Sequence, residues 1–149
     1  MKTLLTLEYV GIIHSKKNRH IAVRQGGTVR VIPDAIARES EAEMVSQFAT
    51  QLARTTRRPF LRTKAERLVD ADRKHTTYDI TFRIWQIDNI RRDLDNQATS
   101  LLDALTKSGA IVDDCRKFLK SFTVIDCGID RQRPRAEIAI TITEDDWEG

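Results

Sequence analysis

The stretch His75 to Ile87 alternates Tyr78, Ile80, Phe82 and Ile84 against Asp79, Thr81 and Arg83. A two-residue period puts the four apolar side chains on one side of an extended chain, and the β-branched and aromatic content favours that state. This reads as a central strand, and the rest of the fold has to flank its edges and cover its apolar face. Thr3 to Ile13 supplies another strand, with Leu5, Leu7 and Tyr9 opposite Thr6 and Glu8. Ile21 to Ile32 reads as a hairpin turning at Gly26-Gly27, because a glycine pair takes the positive φ angles of tight turns. Ser121 to Ile125 and Ala136 to Thr143 complete the strands, joined by a turn around Asp130 to Pro134.

Two helices are expected between them. Pro33 and Asp34 give a stop and a candidate N-cap, and Ala42, Val45, Phe48, Ala49 and Leu52 follow at helical spacing, so the first helix spans about Asp34 to Arg54. The second begins near Asp95, buries Ala98, Leu101, Leu102 and Leu105, and ends at Gly109. Thr55 to Lys74 is polar and basic and holds Pro59, which makes it a connector with a short helix near Ala65 to Ala71. Strands with two separated helices favour an α+β fold: a mixed β-sheet with two main helices packed on one face. A length of 149 residues, 40% of them apolar, suits a single domain over 1–149.

No apolar run approaches the roughly 18 residues that cross a bilayer, and the N-terminus shows no cleavage pattern, so a soluble, unexported protein without a membrane partner is expected. Cys115 and Cys127 fit neither a CxxC redox pair nor a zinc knuckle and read as reduced, structural thiols. The net charge of +3 is modest but unevenly spread. Lys16, Lys17, Arg19, Arg24 and Arg30 follow one another without an acid, as do Arg54, Arg57, Arg58, Arg62 and Lys64, whereas Glu137, Glu144, Asp145, Asp146 and Glu148 crowd the end. Basic blocks suit a polyphosphate partner through counterion release, and they equally suit solvated loops.

The chemistry concentrates in Arg91-Arg92-Asp93-Leu94-Asp95-Asn96 and in Asp113-Asp114. Aspartates at a helix start also serve as N-caps, and a pair after a helix also makes a turn, so an ordinary structural role fits them too. Against that role stands the clustering of oxygen donors: on the helix, Thr99 lies about 40° and Asp103 about 80° around the axis from Asp95. Hard oxygen ligands of this kind suit Mg²⁺ or Mn²⁺. Beside Arg91 and Arg92, such a cation would serve phosphodiester hydrolysis. Other chemistries lack support, since His14, His20 and His75 match no zinc spacing and neither a GxSxG elbow nor a Walker loop occurs. His20, next to Asn18 and Arg19, remains a candidate phosphate contact.

Arg92-Asp93-Leu94-Asp95-Asn96, then Asp103-Ala104-Leu105-Thr106-Lys107, Gly109 and Asp113-Asp114 resemble the signature of the RusA family of Holliday-junction resolvases over about 23 residues. The strand Ala136 to Glu144 is similar to that family's closing strand, and Ser15 with Asn18-Arg19 loosely resembles its N-terminal basic loop. The resemblance implies a RusA-like, Mg²⁺- or Mn²⁺-dependent crossover junction endodeoxyribonuclease. Such an enzyme is a homodimer that cuts four-way DNA symmetrically in recombination and repair, in the cytoplasm and associated with the nucleoid of a bacterium or encoded by a phage. It implies Asp93, Asp95 and Asp114 as the catalytic, metal-binding carboxylates, with Asp103, Asp113 and Thr99 supporting them. Lys16, Lys17, Asn18, Arg19, Arg91, Arg92 and Lys107 become the expected DNA contacts. One departure is Thr99, where the family's type member carries a lysine, a charge that Arg91, Arg92 or Lys107 has to replace. A non-cleaving protein that binds junctions or other nucleic acid on the same frame is the alternative. The apolar strand Ala136 to Thr143 offers a place for two chains to join.

Overall fold

A computed structural model describes residues 1–14, 20–33, 35–55 and 63–145, with the backbone alone described over 20–25 and 28–33. Lys16, Lys17, Asn18 and Arg19, the N-cap candidate Asp34, and Arg57, Arg58, Pro59 and Arg62 lie outside the described residues, as does the side chain of His20. The elements run β1 (Lys2–Val10), β2 (His20–Gln25), β3 (Thr28–Pro33), α1 (Ala35–Leu52), α2 (Lys64–Arg73), β4 (Thr77–Gln86), α3 (Leu94–Ser108), β5 (Leu119–Ile129) and β6 (Arg135–Thr143). The chain is α+β. Strands β2 and β3 form the expected hairpin as a two-stranded sheet of its own, and the other four make a mixed sheet in the order β1-β6-β4-β5. Within it, β6 is antiparallel to β1 and β4, and β4 is parallel to β5. A parallel pair needs a long crossover, and α3 supplies it between β4 and β5.

The period-2 pattern orders the sheet's inner face into rows. Leu5, Ile140, Ile80 and Phe122 stand in one row, and Leu7, Ile138, Phe82 and Val124 in the next. Helix α1 lies against α3 and β1, and α3 lies against α1 and β5. Their apolar stripes join the strand residues in one core, with Phe48, Phe82, Leu101, Leu105, Ile138 and Ile140 fully buried. Each such side chain contributes about 1.5–3 kcal/mol through burial.

The two sheet edges end differently. On β1, the amide and carbonyl of Glu8 bond the side chain of Gln51 (2.8 and 2.6 Å), and those of Val10 bond Gln47 (2.8 and 2.9 Å). Two glutamines one turn apart on α1 thus stand in for a neighbouring strand. Just beyond, Gly11 has φ +148° and the phenol of Tyr9 packs over it, so that a Cβ there would lie 2.6 Å from the Tyr9 oxygen.

Several expectations need correction. Ala42 is exposed, and the buried stripe of α1 is Ala37, Ser40, Met44, Phe48 and Leu52. The connector from Thr55 to Lys74 contains a ten-residue helix, α2, capped where the Thr63 hydroxyl accepts from the Glu66 amide at 3.1 Å. The strand expected over Ser121 to Ile125 extends to eleven residues. Ala136 to Thr143 is interior, with β1 on one edge and β4 on the other, and has no edge left for a second chain. Both cysteines are free, but Cys115 is exposed and Cys127 partly so, which removes them from the core. No helix among the described residues is long and apolar enough to cross a membrane.

Candidate functional site

The segment between β4 and α3 is shaped by its own side chains. Asp88 accepts from the Ile90 amide at 3.1 Å and from the Arg92 guanidinium at 2.7 Å, and those bonds, Arg92 first, hold its carboxyl below the ordinary range. Arg92 is thereby committed to Asp88, while Arg91 beside it is exposed. Asp93 takes the N-cap position of α3 with extended φ and ψ, but its carboxylate makes no capping bond and instead accepts from the Asn96 amide group at 3.3 Å. Asp95 is exposed in the helix's first turn, where the positive end of the helix dipole favours its charge. The Thr99 hydroxyl turns back to the Asp95 carbonyl at 3.0 Å.

Below these acids, buried amides fix α3 to the strands. Gln97 and Gln86 exchange side-chain bonds of 2.8 and 3.1 Å, and Gln97 also donates to the Ile13 carbonyl at 3.4 Å. Ser100 donates to the carbonyl of His14 at 3.4 Å. His14, the last described residue before Lys16 to Arg19, is therefore held on α3 one turn beyond Asn96.

The remaining acids meet at the other end of α3. Gly109 ends the helix at φ 84°, and the chain folds back under it through buried Ala110, Ile111 and Val112, whose amide is bonded by the Tyr78 hydroxyl oxygen at 3.2 Å. The Asp113 carboxylate accepts from the Asp114 amide at 2.8 Å. Asp114 is exposed, yet its pKa is raised, first by partial shielding of the carboxyl from water and then by the charges of Asp113 and Asp103. Lys107 is ion-paired with Glu41 of α1.

The structure thus sorts the expected site into two groups. Asp93 and Asp95 mark the start of α3, and Asp103, Asp113 and Asp114 gather near its end; Asp95 and Asp103 are about 12 Å apart along the axis at 1.5 Å per residue. The donors are all carboxylate oxygens, the chemistry of a hard cation's ligands. Within this chain they do not close around one point: among the described residues no group of three or more His, Cys, Asp or Glu side chains is placed to hold a metal ion. No known protein family's sequence pattern matches this chain, and no curated protein matches it. The likeness to RusA-type resolvases therefore rests on the residues themselves.

One feature went unread in the sequence. The turn between β5 and β6 carries Arg131, Arg133 and Arg135. Arg131 acts electrostatically on Asp88, Arg133 bonds Glu8 at 2.5 Å, and Arg135 bonds Asp130 at 2.9 Å while lying 3.9 Å over the Trp85 ring. The alternating Arg131-Gln132-Arg133-Pro134-Arg135 was the available signal, but only the pairing of β4 with β6 brings it beside the loop of Arg91 and Arg92.

Proposed function

We propose that this chain is a structure-selective endonuclease for branched DNA. In this reading it is a RusA-like crossover junction endodeoxyribonuclease that acts as a homodimer, uses Mg²⁺ or Mn²⁺, and resolves four-way junctions by paired symmetric cuts in the cytoplasm. The observation that supports it most is the crowding of Asp114. Asp114 is exposed, but partial shielding of its carboxyl from water and two neighbouring acids oppose its charge, and a bound cation offsets such like-charge crowding. The N-cap carboxylate of Asp93 adds to this, because it occupies a capping position without capping.

In this reading Asp93, Asp95 and Asp114 supply oxygen ligands, and Asp103 and Asp113 shape the charge around Asp114. The exposed Arg91 holds a phosphate beside Asp93, while Arg92 stiffens the loop through Asp88. Arg131 extends the basic surface, and Lys16 to Arg19, which follow the anchored His14, grip a DNA arm. A non-cleaving junction-binding protein is the second reading, favoured by Thr99, whose hydroxyl is spent on the Asp95 carbonyl and which offers no cation to a phosphate.

The variant Asp95→Asn separates the two. Removing one charged ligand while keeping the shape should leave junction binding within about twofold and reduce cleavage by roughly a hundredfold or more, as losses of electrostatic groups at reacting centres do. Cleavage at the wild-type rate would remove Asp95 from the site. A wild-type protein that binds junctions and never cuts them would establish the second reading.

A further inference from the structure

The loop between β4 and α3 holds an apolar side chain out to solvent. Ile90 is 66% exposed and takes no part in the core. A single exposed apolar residue is common and needs no explanation. Ile90 differs in how it is held. Its amide donates to the Asp88 carboxylate at 3.1 Å, and its carbonyl accepts from the Arg92 guanidinium at 3.4 Å. The same guanidinium donates to Asp88 at 2.7 Å, so both backbone groups of Ile90 are tied into one small ring of bonds. A stiff, β-branched side chain on a loop fixed in this way has already lost the freedom that binding would otherwise cost.

Cations stand beside it. Arg91 is the next residue and is exposed. The Asp130 amide donates to the Gln86 carbonyl at 2.8 Å, which sets the β5–β6 turn against the end of β4, and exposed Arg131 in that turn is near enough for its charge to act on Asp88. The turn is as firmly built as the loop, because the Asp130 carboxylate accepts from the amides of Gln132 and Arg133 at 3.2 and 3.1 Å and from the Arg135 guanidinium at 2.9 Å. Ile129, paired with Gln86, adds a second apolar side chain, 46% exposed, at the same end of the sheet. Asp93 follows Ile90 by three residues, no more than about 11 Å along even an extended chain. An apolar tip with arginines beside it thus borders the acids at the start of α3.

Nucleic acid is a partner that can use both. Arginines meet phosphates, and an apolar tip finds its counterpart in the face of a base pair, as in proteins that push Ile, Leu, Met or Phe between base steps. Inside a linear duplex each such face is covered by its neighbour, and the stacking has to be broken to reach it. At a branch point the stacking is already interrupted. We propose that Ile90 is a wedge that packs on the face of a base pair at the branch point, with Arg91 and Arg131 on the flanking phosphates, and that this contact makes the protein prefer branched to linear DNA. The inference rests on the branched-DNA reading of the proposed function and names the residue that selects the substrate.

The test uses the full chain in EDTA, where binding is read without cutting, and a four-way junction carrying 2-aminopurine at the branch point. Binding of the wild-type protein should raise the fluorescence, and should leave that of an internal 2-aminopurine in linear duplex unchanged. Ile90→Asn should lose the rise and lower the ratio of junction to duplex affinity about tenfold or more, the loss expected when one buried isoleucine contact goes. Ile90→Leu should retain both. Arg91→Gln should weaken junction and duplex binding alike and reduce the salt slope, while keeping the fluorescence rise at saturation. An Ile90→Asn protein that raises the fluorescence and prefers the junction as the wild type does would overturn the proposal, and cleavage of junctions with Mg²⁺ would then leave the nuclease standing. A wild-type protein that opens the branch through Ile90 and never cuts with Mg²⁺ or Mn²⁺ would uphold the wedge and contradict the nuclease. Equal affinity of the wild type for junction and duplex would overturn both.

Discussion

At Asp114 the chain places an exposed residue whose carboxyl is partly shielded from water, and that shielding and the charges of Asp113 and Asp103 all oppose ionisation. Because its folded pKa lies above the value of 3.8 that an unperturbed aspartate shows, the folded state binds this proton more tightly than the unfolded one. The penalty is present in full at pH values above the folded pKa and disappears as pH falls below 3.8. Asp114→Asn should therefore raise the melting temperature slightly at pH 7, since the residue is exposed and solvent screens much of the effect, leave it nearly unchanged at pH 3, and abolish cleavage at pH 7. A lower melting temperature at pH 7 would show that the carboxylate stabilises the fold, which would make it a structural group. The acids themselves were legible in the sequence from their spacing. Their grouping was not, because Asp114 reaches Asp103 only through the fold-back that Gly109 and the Tyr78 hydroxyl direct. Lys107, expected as a DNA contact, is paired instead with Glu41, which α1 places beside it.

Among the elements, those with a clean period were legible. The alternation in Thr77–Gln86 and the stripe of Ala98, Leu101, Leu102 and Leu105 became β4 and α3 with the buried faces expected. Helix α1 misled because its face mixes Ser40 and Met44 with alanines, and Ala42 fits a helical stripe as well as Met44 does until α3 selects the face. Strand β5 ran longer than its apolar centre suggested because its pairing with β4 continues past two register shifts. Gln47 and Gln51 illustrate what periodicity omits, since a polar pair one turn apart gives no hint that it closes a strand edge. Each glutamine satisfies two backbone groups, and a hydrogen bond is worth about 0.5–1.5 kcal/mol net. With water able to replace part of that, Gln47→Ala with Gln51→Ala should cost roughly 1–2 kcal/mol in urea unfolding and raise the tendency to aggregate through the freed edge. An unchanged midpoint would mean that the glutamines only decorate the edge.

For the whole molecule, fold class followed from the order of periodic segments, whereas strand order did not. Nothing in Ala136 to Thr143 shows that it lies between β1 and β4, and that placement removes it as a joining edge. The same strand order brings Arg131 beside the loop of Arg91 and Arg92, so that basic side chains border the start of α3. Acids along α3 and a basic rim fit a two-fold protein that meets two equivalent DNA strands, one site to each. In the proposed function these acids cut branched DNA with a divalent cation. The most direct measurement incubates end-labelled four-way junction and linear duplex of the same sequence with the purified protein, with and without Mg²⁺. Paired nicks placed symmetrically across the branch are expected only when Mg²⁺ is present, with the duplex left intact. Equal cutting of duplex and junction, or no cutting of either at any Mg²⁺ or Mn²⁺ concentration, would contradict it.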